Sequence, residues 1–311
     1  MKNSMSKNSA ILVFFVSAVL LSACNQKEQK KQGQETILKG STSIFVDETL
    51  MPVLEEQVAV FESNYEAKIK LIPKSEVEAV NALVDEKSAI AVLARKLSGE
   101  EMKIFDQKKI IPKVTKFATD GVALISNIKS NDTLVDLKEV INFMQGKPST
   151  TIKGLVFDNP NSSTVSYMNA LAGLKTIPQK GVFSFKTNDE VIKYVSENEG
   201  MVGIVGVNWL FQPMPDMQKY IDKINIMSVK GFKNENYYEP SQNNIAEGTY
   251  PLARDLYIIN CQGYSGLGMG FASFVAGDIG QRIILKSGLL PVRIPARNIT
   301  IKRKTKSNIK K

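Results

Sequence analysis

Histidine is absent from all 311 residues, and cysteine occurs only at Cys24 and Cys261. The first absence removes imidazole activation of a nucleophile and the commonest metal ligand. The second leaves a single thiol beyond residue 24, so no intrachain disulfide can form there. Also missing are a His-Glu zinc motif, a phosphate-binding glycine loop ending in Lys-Ser/Thr and a Gly-x-Ser-x-Gly elbow. Catalysis is therefore the weaker expectation: the chain reads as no enzyme, with no cofactor and no metal. Long apolar runs are scarce as well. Ala10–Leu21 is uncharged and apolar, but at about 1.5 Å per residue it is too short to remain in a bilayer as a spanning helix.

That short run has a different use. Lys2 and Lys7 precede it and small residues end it, which is the pattern of a secretory signal peptide over residues 1–23. Leu21-Ser22-Ala23-Cys24 resembles a bacterial lipobox, where the chain is cut before a cysteine whose thiol takes a diacylglycerol. Each buried acyl methylene contributes about 0.8 kcal/mol, so two or three chains tether a soluble body to a membrane surface. The expectation is an exported protein, lipid-anchored through Cys24 on the periplasmic or cell-surface side of a bacterial membrane. Residues 24–36 are rich in Gln, Lys and Glu and read as a flexible tether.

The formal charge of +9 belongs to the ends of the chain. Residues 297–311 hold 7 basic and no acidic groups, whereas the body from Ile37 to Ala296 holds 28 basic against 29 acidic. A nearly neutral body on an exported chain argues against nucleic acid as a partner. The basic tail reads as a solvated extension, with contact to anionic lipid as its functional alternative.

β-rich runs alternate with helical patterns, which predicts an α/β fold. Strands are expected at Ile37–Lys39, Ile69–Ile72, Ala89–Leu93, Asp120–Ser126, Val202–Val207 and Asp255–Ile259. Helices are expected at Thr49–Asn64, Ser75–Lys87, Leu134–Met144, Thr164–Leu171, Asp189–Glu197, Gly266–Ala276 and Ile279–Ser287. In the second of these, Val77, Val80, Leu83 and Val84 share an apolar face. Ser75, Ser98 and Thr187 each have Glu three residues later, the spacing of a capping box. Two hydroxyl-rich turns lack that carboxylate: Gly40-Ser41-Thr42-Ser43 and Asn161-Ser162-Ser163-Thr164. Free amides and hydroxyls at a helix start suit an anion, and plain Ser/Thr capping is the competing reading. Tyr237-Tyr238 reads as part of a surface loop, and Trp209 as core or interlobe packing.

Several of these segments together resemble the phosphate-binding proteins of ABC transporters, the PstS family. Gly40-Ser41-Thr42-Ser43 and the following helix are similar to that family's opening. Ala94-Arg95-Lys96-Leu97 looks like its Ser-Arg-Pro-Leu turn, Asp120-Gly121-Val122-Ala123-Leu124-Ile125 like its crossing strand, and Gly288-Leu289-Leu290-Pro291 like its C-terminal turn. Tyr250-Pro251-Leu252-Ala253-Arg254-Asp255-Leu256-Tyr257 resembles its return strand most specifically. The resemblance spans Ile37 to Val292. It implies a two-lobed periplasmic binding protein type II fold with a ligand cleft between lobes. The first lobe would comprise residues 37–117 plus 254–296, the second residues 120–249, followed by the 297–311 tail. It further implies ligand contacts from Thr42, Ser43, Ser75, Arg95, Ser162, Ser163 and Thr164. The implied function is capture of phosphate or a similar oxyanion for an ABC permease or another envelope complex. Two positions depart from the pattern. Asp158 stands where the family has an arginine, and Glu76 follows Ser75 where the family has glycine. Unit charges of one sign 4 Å apart at an effective dielectric of 20 repel by about 4 kcal/mol. Asp158 is then the proton acceptor for monohydrogen phosphate, or the partner of Arg95 across the cleft, or the sign that the ligand is not phosphate. In the last case an envelope scaffold or sensor with the same fold, binding another solute or a protein, is the alternative.

Overall fold

The computed structural model describes residues 35–294. The signal segment, Cys24, most of the tether and the basic tail lie outside the described residues. Twelve strands are described: β1 Gly40–Asp47, β2 Ala67–Lys74, β3 Ile90–Leu93, β4 Lys113–Asn127, β5 Leu134–Asp136, β6 Gly154–Phe157, β7 Val182–Ser184, β8 Met201–Gly206, β9 Ile224–Ile226, β10 Ser228–Lys230, β11 Ala253–Asn260 and β12 Leu290–Pro291. The longer helices are α1 Met51–Asn64, α2 Glu76–Val84, α3 Gly99–Gln107, α4 Leu137–Met144, α5 Ser163–Ala172, α6 Asn188–Glu197, α7 Leu267–Val275 and α8 Asp278–Lys286.

One sheet runs in the order β2-β1-β3-β11-β4-β8-β6-β7, with β9 and β12 also pairing with β4, while β5 and β10 form a separate pair. Helices cover both faces of each half. In one half, α1, α7 and α8 close over Ile44, Val46, Phe61 and Phe271, and α2 and α3 pack with Leu83, Leu93 and Phe105 on the opposite face. In the other, α4 and α5 close over Leu124, Phe157, Met168 and Ile204, and α6 supplies Val191, Ile192 and Val195. These are the two lobes, and the fold is the two-lobed α/β binding-protein architecture that the resemblance implied.

Strand β4 joins them. Its first part pairs with β11 and β12 and its second with β8 and β9. It runs for 15 residues, far beyond the expected Asp120–Ser126, because it gains ladder partners in both lobes. Strand β11 returns beside it, antiparallel, so Arg254 stands directly opposite Asp120. The connection between lobes is thus a pair of adjacent extended strands.

The first strand also differs from expectation. Ile37 and Leu38 are exposed, and β1 runs from Gly40 to Asp47 in parallel register with β2, from Gly40 opposite Ala67 to Asp47 opposite Lys74. The Gly-Ser-Thr-Ser segment is strand rather than turn, since ladder bonds to β2 outweigh the local turn preference of those residues. Val77 is 44% exposed, and α2 instead buries Glu76, Ala79, Val80, Ala82 and Leu83. The boxes at Ser75 and Ser98 close fully. At Thr187 only half of the box forms: its hydroxyl accepts from the Glu190 amide, and the Glu190 carboxylate accepts from Lys186 N.

Candidate functional site

The turn from β1 into α1 is Asp47-Glu48-Thr49. Pro52 in the first turn of α1 marks the helix start, so this turn has to end just before it. Asp47 Oδ1 accepts from the Thr49 amide at 3.2 Å. The Thr49 hydroxyl meets the Ser163 hydroxyl, at the start of α5 in the second lobe, at 3.0 Å. The Thr49 carbonyl accepts from Asn208 Nδ2 at 3.2 Å and from Trp209 Nε1 at 2.8 Å, both just past β8. These contacts close the cleft: one first-lobe threonine bonds to three second-lobe side chains.

Arg254 holds the floor. Its Nε and Nη2 donate to Asp120 Oδ2 at 3.1 and 3.0 Å. Nη1 donates to Ser163 at 2.9 Å and to Thr164 at 3.4 Å. Arg254 and Asp120 are both buried. Removing one partner of such a pair costs on the order of 3–5 kcal/mol, because the other charge stays buried alone. Burial opposes the guanidinium charge, but Asp120 and Asp47 more than offset it and raise its pKa.

Carboxylates crowd around this one buried guanidinium. Burial raises Asp47, against the opposing pull of Arg254. Burial also pushes Asp158 up to about 7, with the Ser162 hydroxyl pulling the other way and Asp47 and Glu48 adding to the rise. Glu48 is pushed up to about 7 by burial and by Asp47. Glu76 reaches about 7 through burial and Asp47, with Arg95 opposing. Asp158 Oδ1 accepts from Ser162 at 2.6 Å and Oδ2 from Asn188 Nδ2 at 3.2 Å. Acids from both lobes therefore interact in one buried cluster. A separate cavity of about 750 Å³ is lined by Val77 of α2 and by Pro160, Asn161 and Asn169 of the second lobe, among others.

The residues expected to bind ligand divide into three groups. Ser162, Ser163 and Thr164 are in the cluster, buried at the start of α5. Ser75 and Arg95 stand at its edge and are already engaged. Ser75 caps α2, accepting from the Glu78 amide at 3.4 Å and donating to its carboxylate at 2.9 Å. Arg95 reaches Glu76 at 3.2 Å and Glu101 at 2.8 Å, so it pairs with these acids and not with Asp158 across the cleft. Thr42 and Ser43 lie elsewhere. They stand five and four residues before Asp47 on β1, and at about 3.3 Å per residue this puts roughly 13–17 Å between them and the turn. There they line an open groove of about 650 Å³ with Lys68, Lys70 and Ser88.

Asp47, Glu48, Thr49, Asp120, Asn188, Asn208 and Arg254 are candidate site residues that the resemblance did not supply. Pro52 was the available signal. It fixes the strand-to-helix turn at residues 47–49, seven residues downstream of the Gly-Ser-Thr-Ser string.

A family model described as a PBP superfamily domain matches residues 27–278. No curated protein matches the chain. Among solved structures, a Clostridium perfringens protein described as a phosphate ABC transporter substrate-binding protein, with phosphate bound, aligns with TM-score 0.69 at 19% identity, covering 82% of this chain and 100% of that one. An ABC-type phosphate transport receptor of Vibrio cholerae aligns with TM-score 0.61 at 15% identity, covering 81% and 100%. PstS of Borrelia burgdorferi aligns with TM-score 0.52 at 22% identity, covering 82% and 99%. At these identities the likeness is one of fold.

Proposed function

The chain belongs to the PBP superfamily, and from that premise we propose that it is an exported solute-binding protein. In this reading Cys24 carries the lipid anchor, the two lobes close on a small solute, and the loaded form delivers it to an ABC permease. The observation that carries the reading is the convergence of buried polar groups from both lobes at the crossing strands: Thr49 and Asp47 from one side, Ser163, Asp158 and Trp209 from the other. A catalytic role has no comparable support.

Phosphate or a similar oxyanion is the ligand that Arg254, Ser163 and Thr164 favour when taken alone, and it is the bound species named for the Clostridium perfringens protein. Asp47, Glu48, Glu76 and Asp158 oppose a dianion at the same place. The second reading is an envelope scaffold or sensor that has lost phosphate affinity. The direct hydrogen bonds between lobes at Thr49 favour it, because they occupy donors that a captured anion would need.

Calorimetry on residues 25–311, refolded to remove carried-over ligand, separates these readings. Saturable binding of any small solute supports the solute-binding protein, and phosphate among the binders supports the oxyanion. A folded protein that binds none across phosphate, sulfate, amino acids, sugars and amines would leave the scaffold or sensor in its place.

A further inference from the structure

Among the described residues, every buried side-chain polar atom without a partner is an oxygen. Five of these belong to the interlobe cluster or its edge: Asp47 Oδ2, Glu48 Oε1, Asp120 Oδ1, Asn188 Oδ1 and Asn208 Oδ1. Asp47, Asp120, Asn188 and Asn208 are each at most 1% exposed, so bulk water does not serve them. Asn188 and Asn208 matter most here, because they are neutral and their orientation is fixed by the amide end. Asn188 Nδ2 donates to Asp158 and Asn208 Nδ2 to the Thr49 carbonyl, which leaves each carbonyl oxygen without a donor.

The side-chain N–H donors, by contrast, are engaged. Ser162 donates to Asp158. Trp209 donates to Thr49. Arg254 is shared among Asp120, Ser163 and Thr164, and Arg95 between Glu76 and Glu101. An oxyanion arriving here would find hydroxyl groups such as that of Thr164 but more partnerless acceptors, and the acceptors repel it. A ligand with N–H donors would meet what it lacks.

We propose that the interlobe site takes a cationic, hydrogen-bond-donating solute of the primary-ammonium or guanidinium class, and not an oxyanion. The proposal rests on the solute-binding reading and names the ligand class for that same site. Charge is compatible with this: Asp47, Glu48, Glu76, Asp120 and Asp158 stand near only two guanidinium groups, Arg254 and Arg95. Burial favours the protonated form of each acid, so an entering cation would supply the countercharge that lets them ionise. An organic cation fits better than a bare metal ion, because among the described residues no three acidic side chains are grouped as metal ligands. N–H donors meet acceptors singly at about 2.9 Å and so tolerate spread-out partners. Nearest to the cluster along the chain, a cavity of about 750 Å³ has Val77, next to Glu76, and Asn161, next to Ser162, in its lining. Asn169, on the cavity wall, carries another partnerless buried oxygen.

The test is calorimetry with ethylammonium, 1,4-diaminobutane, methylguanidinium, phosphate and sulfate on the refolded wild type, Glu48→Gln and Asp158→Asn. Glu48 is only half-buried, so Glu48→Gln keeps the test open even where Asp158→Asn does not fold. The expected result is saturable binding of at least one of the three cations, weakened about tenfold or more by Glu48→Gln, with no binding of either anion. Phosphate or sulfate binding to the wild type overturns the proposal and leaves the solute-binding reading standing. Cation binding that Glu48→Gln and Asp158→Asn both leave unchanged overturns it as well, by placing the cation elsewhere. No binding of any of the five overturns the proposal, and the broader solute panel then decides the reading beneath it.

Discussion

Asp158 shows how much one side chain decides. A carboxyl group that is 0% exposed and held near 7 by burial keeps its proton at pH values where an unfolded aspartate, near 4, has lost it. Between those values the folded state binds more protons than the unfolded one, so stability falls as pH rises. The contribution of Asp158 is fully present below about 4 and is gone above about 7. Glu76 acts in the same direction, being likewise pushed up to about 7 and buried. Ligand-free protein should therefore lose on the order of 5 °C in Tm between pH 5 and pH 8, and Asp158→Asn should flatten that slope. A Tm that rises over this range, or a slope unchanged in Asp158→Asn, would contradict the account. Asp158 was legible in the sequence as a departure from the motif of the family that the chain resembles. Its partners were not, because nothing local in the chain tells that Ser162 and Asn188 would take up both of its oxygens.

At the scale of elements, the sequence is most readable where a cap or a proline fixes an end. The box at Ser75, the box at Ser98 and the cap at Ser162 all form at their expected places. Ser75 is the instructive case, since the resemblance assigned it to ligand and its hydroxyl is instead committed to Glu78. Ser75→Ala should lower Tm by a few degrees, matching the loss of about 0.5–2 kcal/mol for an N-cap. Ser75→Asp, which can still accept from the helix amides, should restore most of it. A ligand affinity that drops in Ser75→Ala while Tm stays fixed would return the hydroxyl to the ligand. The turn at the start of α1 was harder to read because Gly-Ser-Thr-Ser matches a known loop in residue type. In the chain those residues are strand, their backbone groups taken up by β2 in unbroken register. Pairing with a segment 27 residues away, as for Gly40 and Ala67, is information that residue type alone does not carry.

For the whole molecule, the two crossing strands and the Thr49 contacts define what moves. β4 and β11 are continuous through the junction, with Asp120 and Arg254 paired across it, so opening would swing the lobes about these strands. Separation would then break the contacts between the lobes beside them, where Thr49 meets Ser163, Asn208 and Trp209. The α/β class and most of the longer elements were legible from periodicity, and the lobes from the resemblance, whereas strand β6 and the position of β1 were not. The charge of the cleft was not, because it depends on which of 29 acidic residues in a nearly neutral body come together from turns distant in sequence.

Trp209 is the sole tryptophan, and its indole N–H bridges the lobes to the Thr49 carbonyl at 2.8 Å. Its emission is the most direct report on closure. Protein freed of carried-over ligand should show a saturable shift of that emission to shorter wavelength when titrated with the binding cation, and none with phosphate. Emission that stays constant through saturation with a solute that calorimetry shows to bind would place binding outside the cleft and contradict capture by lobe closure.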